Sequence, residues 1–155
     1  LVKFFYPLDV VQDWNRIYGN RGFYQYQCVL PKLPDGATAL KEILAKIADA
    51  GSGSFLAVIK LLGKEDPPYL AFATEGYTLA LDFPYDKGNT HLFEILDKVV
   101  KTAGGRLYLT KDARMSKEFF QESYQKLPLF MKIKKQLDPD NYFTSLQAQR
   151  LGIIS

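Results

Sequence analysis

Apolar residues recur along this chain with two periods, one typical of helices and the other typical of strands. The helical period occurs in two segments, which contain Leu40, Ile43, Leu44 and Ile47, and Leu92, Phe93, Leu96, Val99 and Val100. Residues 22–30, 55–62, 76–83 and 106–110 are rich in aromatic, β-branched or leucine residues and are bounded by Gly or Pro, which predicts strands. The order β-α-β-β-α-β predicts an α+β fold of the ferredoxin-like, split βαβ type. It has an antiparallel sheet with both helices on one face.

An internal repeat supports this order of elements. Pro31 and Pro84, which lie 53 residues apart, each end a strand-like run. Gly51 and Gly104 are separated by the same offset and each end a helical pattern. A fixed offset of this kind indicates that one supersecondary unit occurs twice.

Helical extensions flank the repeated unit on both sides. A helix is predicted over residues 9–18, ended by Gly19, and two more are predicted over 116–124 and 128–137, the last stopped by Asp138 and Pro139. We expect these helices to be appendages to the core. Residues 64–68, with two prolines and three charges, are predicted to form a loop.

Composition narrows the classes of function. The chain has 155 residues, of which 47% are hydrophobic and 24% charged, so one soluble domain is expected. A formal net charge of +3 is too weak to indicate a nucleic-acid partner. The single cysteine excludes an internal disulfide, and the single histidine argues against a histidine metal centre or a Ser-His triad. No apolar run reaches the roughly 18 residues of a membrane helix.

Strand alternation leaves one sheet face open, and that face carries polar side chains. The face contains Gln25, Gln27, Lys60 and Thr78 among Phe23, Leu56, Val58, Leu62 and Ala80. Two amides, an ammonium and a hydroxyl in apolar surroundings suit a neutral polyol or sugar-like ligand. The alternative is a solvated sheet face without a ligand.

Lys111 and Arg114 follow the last predicted strand, where loops carry function on a rigid scaffold. A lysine there suits an anion that develops on a substrate or cofactor, and the alternative is an ordinary surface turn. Cys28 falls on the covered face and is predicted to be a core residue.

Four stretches, taken together, carry a family resemblance. They are residues 5–9 with 13–19, residues 22–27, residues 104–114, and residues 137–145 with 149–151. In order and spacing they resemble the C-terminal half of FAD-linked oxidases of the vanillyl-alcohol oxidase / p-cresol methylhydroxylase superfamily. The resemblance is closest to the decaprenylphosphoryl-β-D-ribose 2'-oxidases and the sugar-lactone and alditol oxidases, which include D-arabinono-1,4-lactone oxidase-like proteins.

The resemblance implies a domain organisation. Residues 1–155 would be the substrate (cap) domain of a longer flavoenzyme, with its open sheet face over the flavin ring. FAD would be bound mainly by an N-terminal domain of the same polypeptide, which is absent from this sequence. The isolated chain is then expected to be inactive.

The resemblance also implies residue roles and a reaction. Gln25 and Gln27 would line the substrate site, Lys60 would contact the substrate, and Lys111, with Gln27 nearby, would lie at the flavin pyrimidine edge. The apolar wall would comprise Leu56, Val58 and Leu62. The reaction would oxidise a CH-OH group of a sugar, aldonolactone or polyol by hydride transfer to flavin N5, with Lys60 as a candidate base.

Two positions depart from the family pattern. The mycobacterial ribose oxidases carry a cysteine where this chain has Ala80, and an asparagine where it has Thr78. Both belong to the predicted substrate site, so the substrate stays open. A lipid-linked substrate would add peripheral membrane association, a partner reductase is also compatible with the family, and the expected location is cytoplasmic or membrane-peripheral.

Two other classes of function share the predicted fold. Ferredoxin-like sheets with exposed aromatics bind single-stranded RNA, although Gln25 and Gln27 stand where stacking aromatics are wanted. A small-molecule regulatory module that dimerises through its sheet is the second alternative.

Overall fold

The computed structural model describes residues 12–52, 54, 56–64 and 68–154, with only the backbone of Trp14 and Asn15. Four strands form one antiparallel sheet: β1 Phe23–Pro31, β2 Ala57–Leu62, β3 Gly76–Pro84 and β4 Arg106–Leu107. Within these described ranges the α-helices are α1 Ala37–Asp49, α2 Gly88–Thr102, α3 Lys117–Ser123, α4 Leu127–Leu137 and α5 Leu146–Arg150. Short 3-10 helices span Trp14–Tyr18 and Leu109–Lys111, and a single irregular turn spans Lys32–Gly36.

The strand order across the sheet is β2-β3-β1-β4, which confirms the predicted ferredoxin-like α+β fold. β1 pairs with β3 along its whole length, from Phe23 opposite Pro84 to Pro31 opposite Gly76. By contrast, β4 pairs with β1 only at Cys28 and Val29. β2 pairs with β3 and forms the other edge.

The core lies between the sheet and α1 and α2. Alternate side chains of β1 and β3 face these helices and are buried, among them Cys28, Leu30 and Leu79. Phe93 of α2 is the aromatic centre, because its ring contacts those of Phe83 edge-on at 5.2 Å and Tyr26 in a stack at 5.6 Å. Both predicted helical stripes are confirmed, except that Leu44 is exposed.

The edge strand β2 departs from the simple two-face prediction. The register places Ile59 and Leu61 on the helix side of the sheet, opposite Leu79 and Tyr77. Nevertheless Ile59 is 51% and Leu61 61% exposed, because the helices do not extend over this edge. The expected complete coverage of the apolar face was therefore wrong at β2.

Other element boundaries also differ from the predictions. The helix predicted over 9–18 is a 3-10 helix that begins at Trp14. An α-helix does not continue through Asp13, because its backbone is left-handed with φ 55°. Residues 9–11 of the predicted helix lie outside the described residues. The fourth strand ends early, since the chain turns into the 3-10 helix at Leu109. The strand predicted over 55–62 begins at Ala57, and much of the predicted loop over 64–68 lies outside the described residues.

The C-terminal helices share the main core and are not appendages to it. Phe120 and Tyr124 are fully buried, as is Met115 just before α3. The Tyr124 hydroxyl donates a 2.6 Å hydrogen bond to the backbone carbonyl of Leu107 in β4. Helices α3 and α4 therefore pack on the core beside the β4 edge of the sheet.

The last helix, α5, holds the loop that follows β4. Arg150 of α5 donates to the Asp112 carboxylate at 2.7 Å and to the Met115 carbonyl, and Gln147 donates to the Leu109 carbonyl at 2.7 Å. Asp112 also accepts the backbone N–H groups of Arg114 and Met115. The Asp112 side chain is only 2% exposed. These donors therefore replace the water molecules that its carboxylate would bind at the surface.

Replacing Arg150 with alanine would leave the Asp112 carboxylate almost buried without its cation. We expect a loss of about 3 kcal/mol in the free energy of unfolding. Arg150→Lys should recover only part of it, because one ammonium cannot reproduce the guanidinium fork. Chemical denaturation measures both effects.

Arg16→Ala is the matched control for this experiment. Arg16 pairs with Asp13 at 3.5 Å on the surface, where both side chains are exposed, so its removal should cost less than about 0.5 kcal/mol. Equal losses for Arg150→Ala and Arg16→Ala would contradict the role assigned to Asp112.

Burial raises the pKa of the Cys28 thiol to about 12. At pH 8 only about one thiol in ten thousand would then be ionised, and the side chain is fully buried. We expect no alkylation of Cys28 by iodoacetamide in the folded protein and complete alkylation in denaturant, as read by peptide mass spectrometry. Rapid modification under native conditions would show that the sheet and helices separate at this point.

Candidate functional site

Cross-strand pairing aligns the predicted site residues in rows on the sheet face opposite α1 and α2. One row joins Gln27, Ala80 and Val58 across three strands. The row on one side joins Val29, Thr78 and Lys60, and the row on the other side begins with Gln25 opposite Asp82. Residues directly opposite one another on one face are neighbours, so strand pairing brings the predicted residues together.

Their exposure differs along the face. Gln25, Lys60 and Leu56 are exposed, while Gln27 is half-buried. Val58, Leu62 and Ala80 are also half-buried and form an apolar floor. Thr78 is only 4% exposed, which leaves its methyl and hydroxyl largely inside the protein. Among the described residues, the Lys60 ammonium has no carboxylate or hydrogen-bond partner.

One end of the face is covered, contrary to the expectation of a fully open surface. Val29 lies on this face by register and yet is fully buried. The connection between β2 and β3 packs nearby, where Arg106 of β4 donates to the Ala71 carbonyl at 3.2 Å and the rings of Phe72 and Tyr108 lie 4.7 Å apart. The accessible face is therefore restricted to the part around Gln25, Gln27 and Lys60.

Both glutamines belong to hydrogen-bond chains. Gln27 Nε2 donates to Thr78 Oγ1 at 3.3 Å, and the Thr78 hydroxyl donates to the Cys28 carbonyl at 3.0 Å. Gln25 Nε2 donates to Oδ1 of the Asp82 carboxylate at 3.0 Å. The other oxygen of this carboxylate, Oδ2, accepts the Tyr18 hydroxyl at 3.2 Å. Desolvation by burial and the nearby Asp82 carboxylate raise the pKa of Tyr18.

Asp82 is a site residue that the sequence reasoning missed. It is only 4% exposed, and its backbone N–H donates to the Ser54 hydroxyl at 2.9 Å. Alternation already placed it on the same face as Thr78 and Ala80. An acidic residue within an otherwise apolar strand was the available signal.

The loop after β4 carries Lys111 and packs against the edge of β1. Because β4 is short, this loop packs along β1 where a longer strand would have paired, and Tyr108 N–H donates to the Gln27 carbonyl at 2.9 Å. Lys111 and Tyr108 line a small cleft at this edge of the sheet, together with Gln25 and Gln27 and with Tyr26 and Phe93 of the core. The cleft measures only about 20 Å³, so a sugar-sized ligand would lie across the face above it.

The two cations of this loop have different environments. Arg114 forms two 2.8 Å hydrogen bonds with the Asp97 carboxylate, and its guanidinium lies 4.9 Å from the centre of the Phe93 ring. Arg114 therefore joins the loop to α2 and stabilises the packing. Within the described part of the chain, the half-buried Lys111 ammonium has no acidic or hydrogen-bond partner.

A group of apolar side chains near the C-terminus is unusually exposed. Four of them are 80 to 84% exposed: Leu137, Tyr142, Phe143 and Leu146. All four lie between residues 137 and 146 of the sequence. In the described ranges, none of the helices has the length and apolar character required to cross a membrane.

The chain is similar to two curated proteins over nearly its whole length. It is 38% identical over 154 residues to a decaprenylphosphoryl-beta-D-ribose oxidase of Mycolicibacterium smegmatis, a match that covers 99% of this chain and 33% of that protein. It is 34% identical over 147 residues to an uncharacterized protein in the mprA 5' region of Streptomyces coelicolor, covering 94% of this chain and 40% of that protein. The chain thus spans between a third and two fifths of the length of these relatives.

The sequence profile of the D-arabinono-1,4-lactone oxidase family matches residues 32–151, from the end of β1 to the end of α5. The match includes the loop with Lys111 and every described strand except β1, which ends one residue before the match begins. The resemblance to FAD-linked oxidases is thereby confirmed. This chain belongs to the D-arabinono-1,4-lactone oxidase family of FAD-linked oxidases.

Proposed function

We propose that this chain is the substrate-binding domain of an FAD-dependent oxidoreductase that oxidises a CH-OH group of a sugar, aldonolactone or polyol. One observation carries the proposal. The accessible part of the open face carries two glutamine amides and Lys60 above an apolar floor, and Lys111 lines the cleft at the adjoining β1 edge. Within the described residues neither lysine has an acidic partner. In a family of FAD-linked oxidases, such a face offers hydrogen bonds to a neutral, hydroxyl-rich substrate.

The residues around Lys111 fit a flavin ring. A flavin is flat and largely apolar, with polar atoms along its pyrimidine edge, and the face is a flat sheet surface with Val58 and Ala80 in the same row as Gln27. When bound, FAD supplies the acceptor for the hydride that leaves the substrate carbon. Lys111 would hold a positive charge at the pyrimidine edge, and Gln27 beside it would contribute a hydrogen bond.

The remaining site residues would hold the substrate. Lys60 lies two strands away from Gln27, about 10 Å across the sheet, and its side chain would contact a substrate hydroxyl. Only as the neutral amine would Lys60 accept the proton of that hydroxyl and act as the base. Leu56, Val58 and Leu62 would form the apolar wall that keeps water from the reacting carbon. Gln25 and Thr78 complete the lining on the β1 and β3 side.

The rest of the polypeptide would contribute the other half of the enzyme. Because this chain spans only a third of the ribose oxidase that it resembles, an FAD-binding domain is expected elsewhere in the same polypeptide. The exposed cluster of Leu137, Tyr142, Phe143 and Leu146 would pack against that domain. A lipid-linked substrate would bring peripheral membrane association, and a partner reductase would reoxidise the flavin.

Flavin content is the first test of this proposal. The full-length polypeptide should be purified with bound FAD, and a screen of sugars, aldonolactones and polyols should bleach its absorbance near 450 nm, since flavins lose this band on reduction. Residues 1–155 alone should bind no flavin and catalyse no turnover. A colourless full-length protein would favour the RNA-binding or regulatory alternatives.

Substitution of the two lysines tests their roles separately. Lys111→Met in the full-length enzyme should lower kcat about 100-fold, because a charge beside the site of reduction is lost. Lys60→Met should raise KM about tenfold, because a substrate contact is lost, and should lower kcat as well where the amine is the base; steady-state kinetics measure both parameters. Lys132→Met changes an exposed lysine of α4 outside the site and is the matched control. Wild-type kinetics in both site variants would remove these roles.

A further inference from the structure

The hydrogen-bond chain through Thr78 determines which way the Gln27 amide faces. The Thr78 hydroxyl has a single proton, and it donates that proton to the Cys28 carbonyl. Toward Gln27, Thr78 Oγ1 can therefore act only as an acceptor. Consequently the NH₂ group of Gln27, and not its carbonyl, must point at Thr78, as the 3.3 Å contact shows.

Asp82 imposes the same orientation on Gln25 by a different route. An ionised carboxylate accepts hydrogen bonds and cannot donate them. One Asp82 oxygen accepts the Tyr18 hydroxyl and the other accepts Gln25 Nε2. Asp82 is buried, and its backbone N–H donates to the Ser54 hydroxyl. The Asp82 side chain therefore has little freedom to rotate away from Gln25.

Both amides therefore turn the carbonyl oxygen away from the protein and toward a ligand. A glutamine amide has a carbonyl oxygen on one side and, on the other, an NH₂ group with two N–H donors, one of which is bound to Thr78 or Asp82. Each amide keeps its second N–H and its Oε1, and within the described residues neither Oε1 has a hydrogen-bond partner. Gln25 and Gln27 project from the same face of β1 two residues apart, about 7 Å along the strand. A single sugar-sized molecule can reach both.

From this arrangement we infer that Thr78 and Asp82 are positioning residues that make the site select ligands by their hydrogen-bond donors. At each of these two positions the carbonyl oxygen accepts a hydrogen bond from a ligand hydroxyl and repels an oxygen that can only accept, such as an ether oxygen. The inference rests on the proposed function, because it takes the open face as the substrate site. It adds that two separate hydroxyls are recognised, one by each glutamine.

Binding of hydroxyl ligands and their ethers tests this selection. The probes are D-ribose, D-arabinose and xylitol, each compared with its mono-O-methyl ethers, which keep the oxygen as an acceptor and lose the donor. Calorimetric titration of the full-length protein, with any bound flavin reduced beforehand so that no turnover occurs, gives the dissociation constants. In the wild type, methylation of either recognised hydroxyl should weaken binding at least tenfold.

Two substitutions should relax the preference, each at one hydroxyl. Thr78→Val removes the acceptor for Gln27, and Asp82→Asn offers Gln25 both a donor and an acceptor, so in each variant one amide can turn. The ratio of ether to hydroxyl dissociation constants should fall to about twofold at one position in Thr78→Val and at a different position in Asp82→Asn. Thr78→Ser keeps the hydroxyl chain and should keep the wild-type ratio.

Several outcomes would overturn the inference. They are an unchanged ratio in both variants, an equal weakening of every ligand, and a wild-type protein that does not distinguish hydroxyls from ethers. If Asp82→Asn does not fold, as judged by thermal unfolding, Thr78→Val and Thr78→Ser still decide the matter at Gln27. The absence of flavin would overturn the proposed function alone, because the titration reads ligand binding with or without it.

Discussion

The early end of β4 is the constraint on which the rest of the site depends. β1 is paired along its full length with β3, but β4 accompanies it for only two residues, which leaves the part of β1 that carries Gln25 and Gln27 with one free edge. Buried backbone groups require partners, and the following loop supplies one through Tyr108 N–H. The same loop carries Lys111, and its position is secured by Asp112, which Arg150 binds from the last helix. Hydrogen bonds therefore connect β1, the loop after β4 and helix α5.

Charged groups near the face fall into two kinds. Arg114 and Arg150 each bind a carboxylate that is largely shielded from solvent, and they serve the packing. Lys60 and Lys111 have no such partner within the described residues. An acidic partner for either lysine at the surface would add little to the free energy of unfolding. Leaving these two lysines unmatched keeps their charges available to a bound molecule.

Much of the fold follows from local pattern, whereas the details of the site follow from tertiary contacts. Period-two and period-3.6 apolar spacing predicted the four strands and the two central helices, because these elements each bury one face. The burial of Val29 could not be predicted, since it arises from a loop that returns over the sheet. Nor could the orientations of Gln25 and Gln27, because they depend on hydroxyl and carboxylate groups more than 50 residues away. Helix α5 was missed because five residues show no amphipathic period, although Ser145 caps it.

The exposed leucine and isoleucine of β2 have a consequence for how this domain can exist. Within the described part of the chain β2 is an edge strand, and an edge with apolar side chains is a template on which another strand can add. Natural proteins protect such edges with charges, prolines or a covering segment, and Ile59 and Leu61 are neither charged nor covered. A molecule with this edge uncovered would be open to strand exchange and fibrillar assembly. Any segment or domain that packs over Ile59 and Leu61 would remove that hazard.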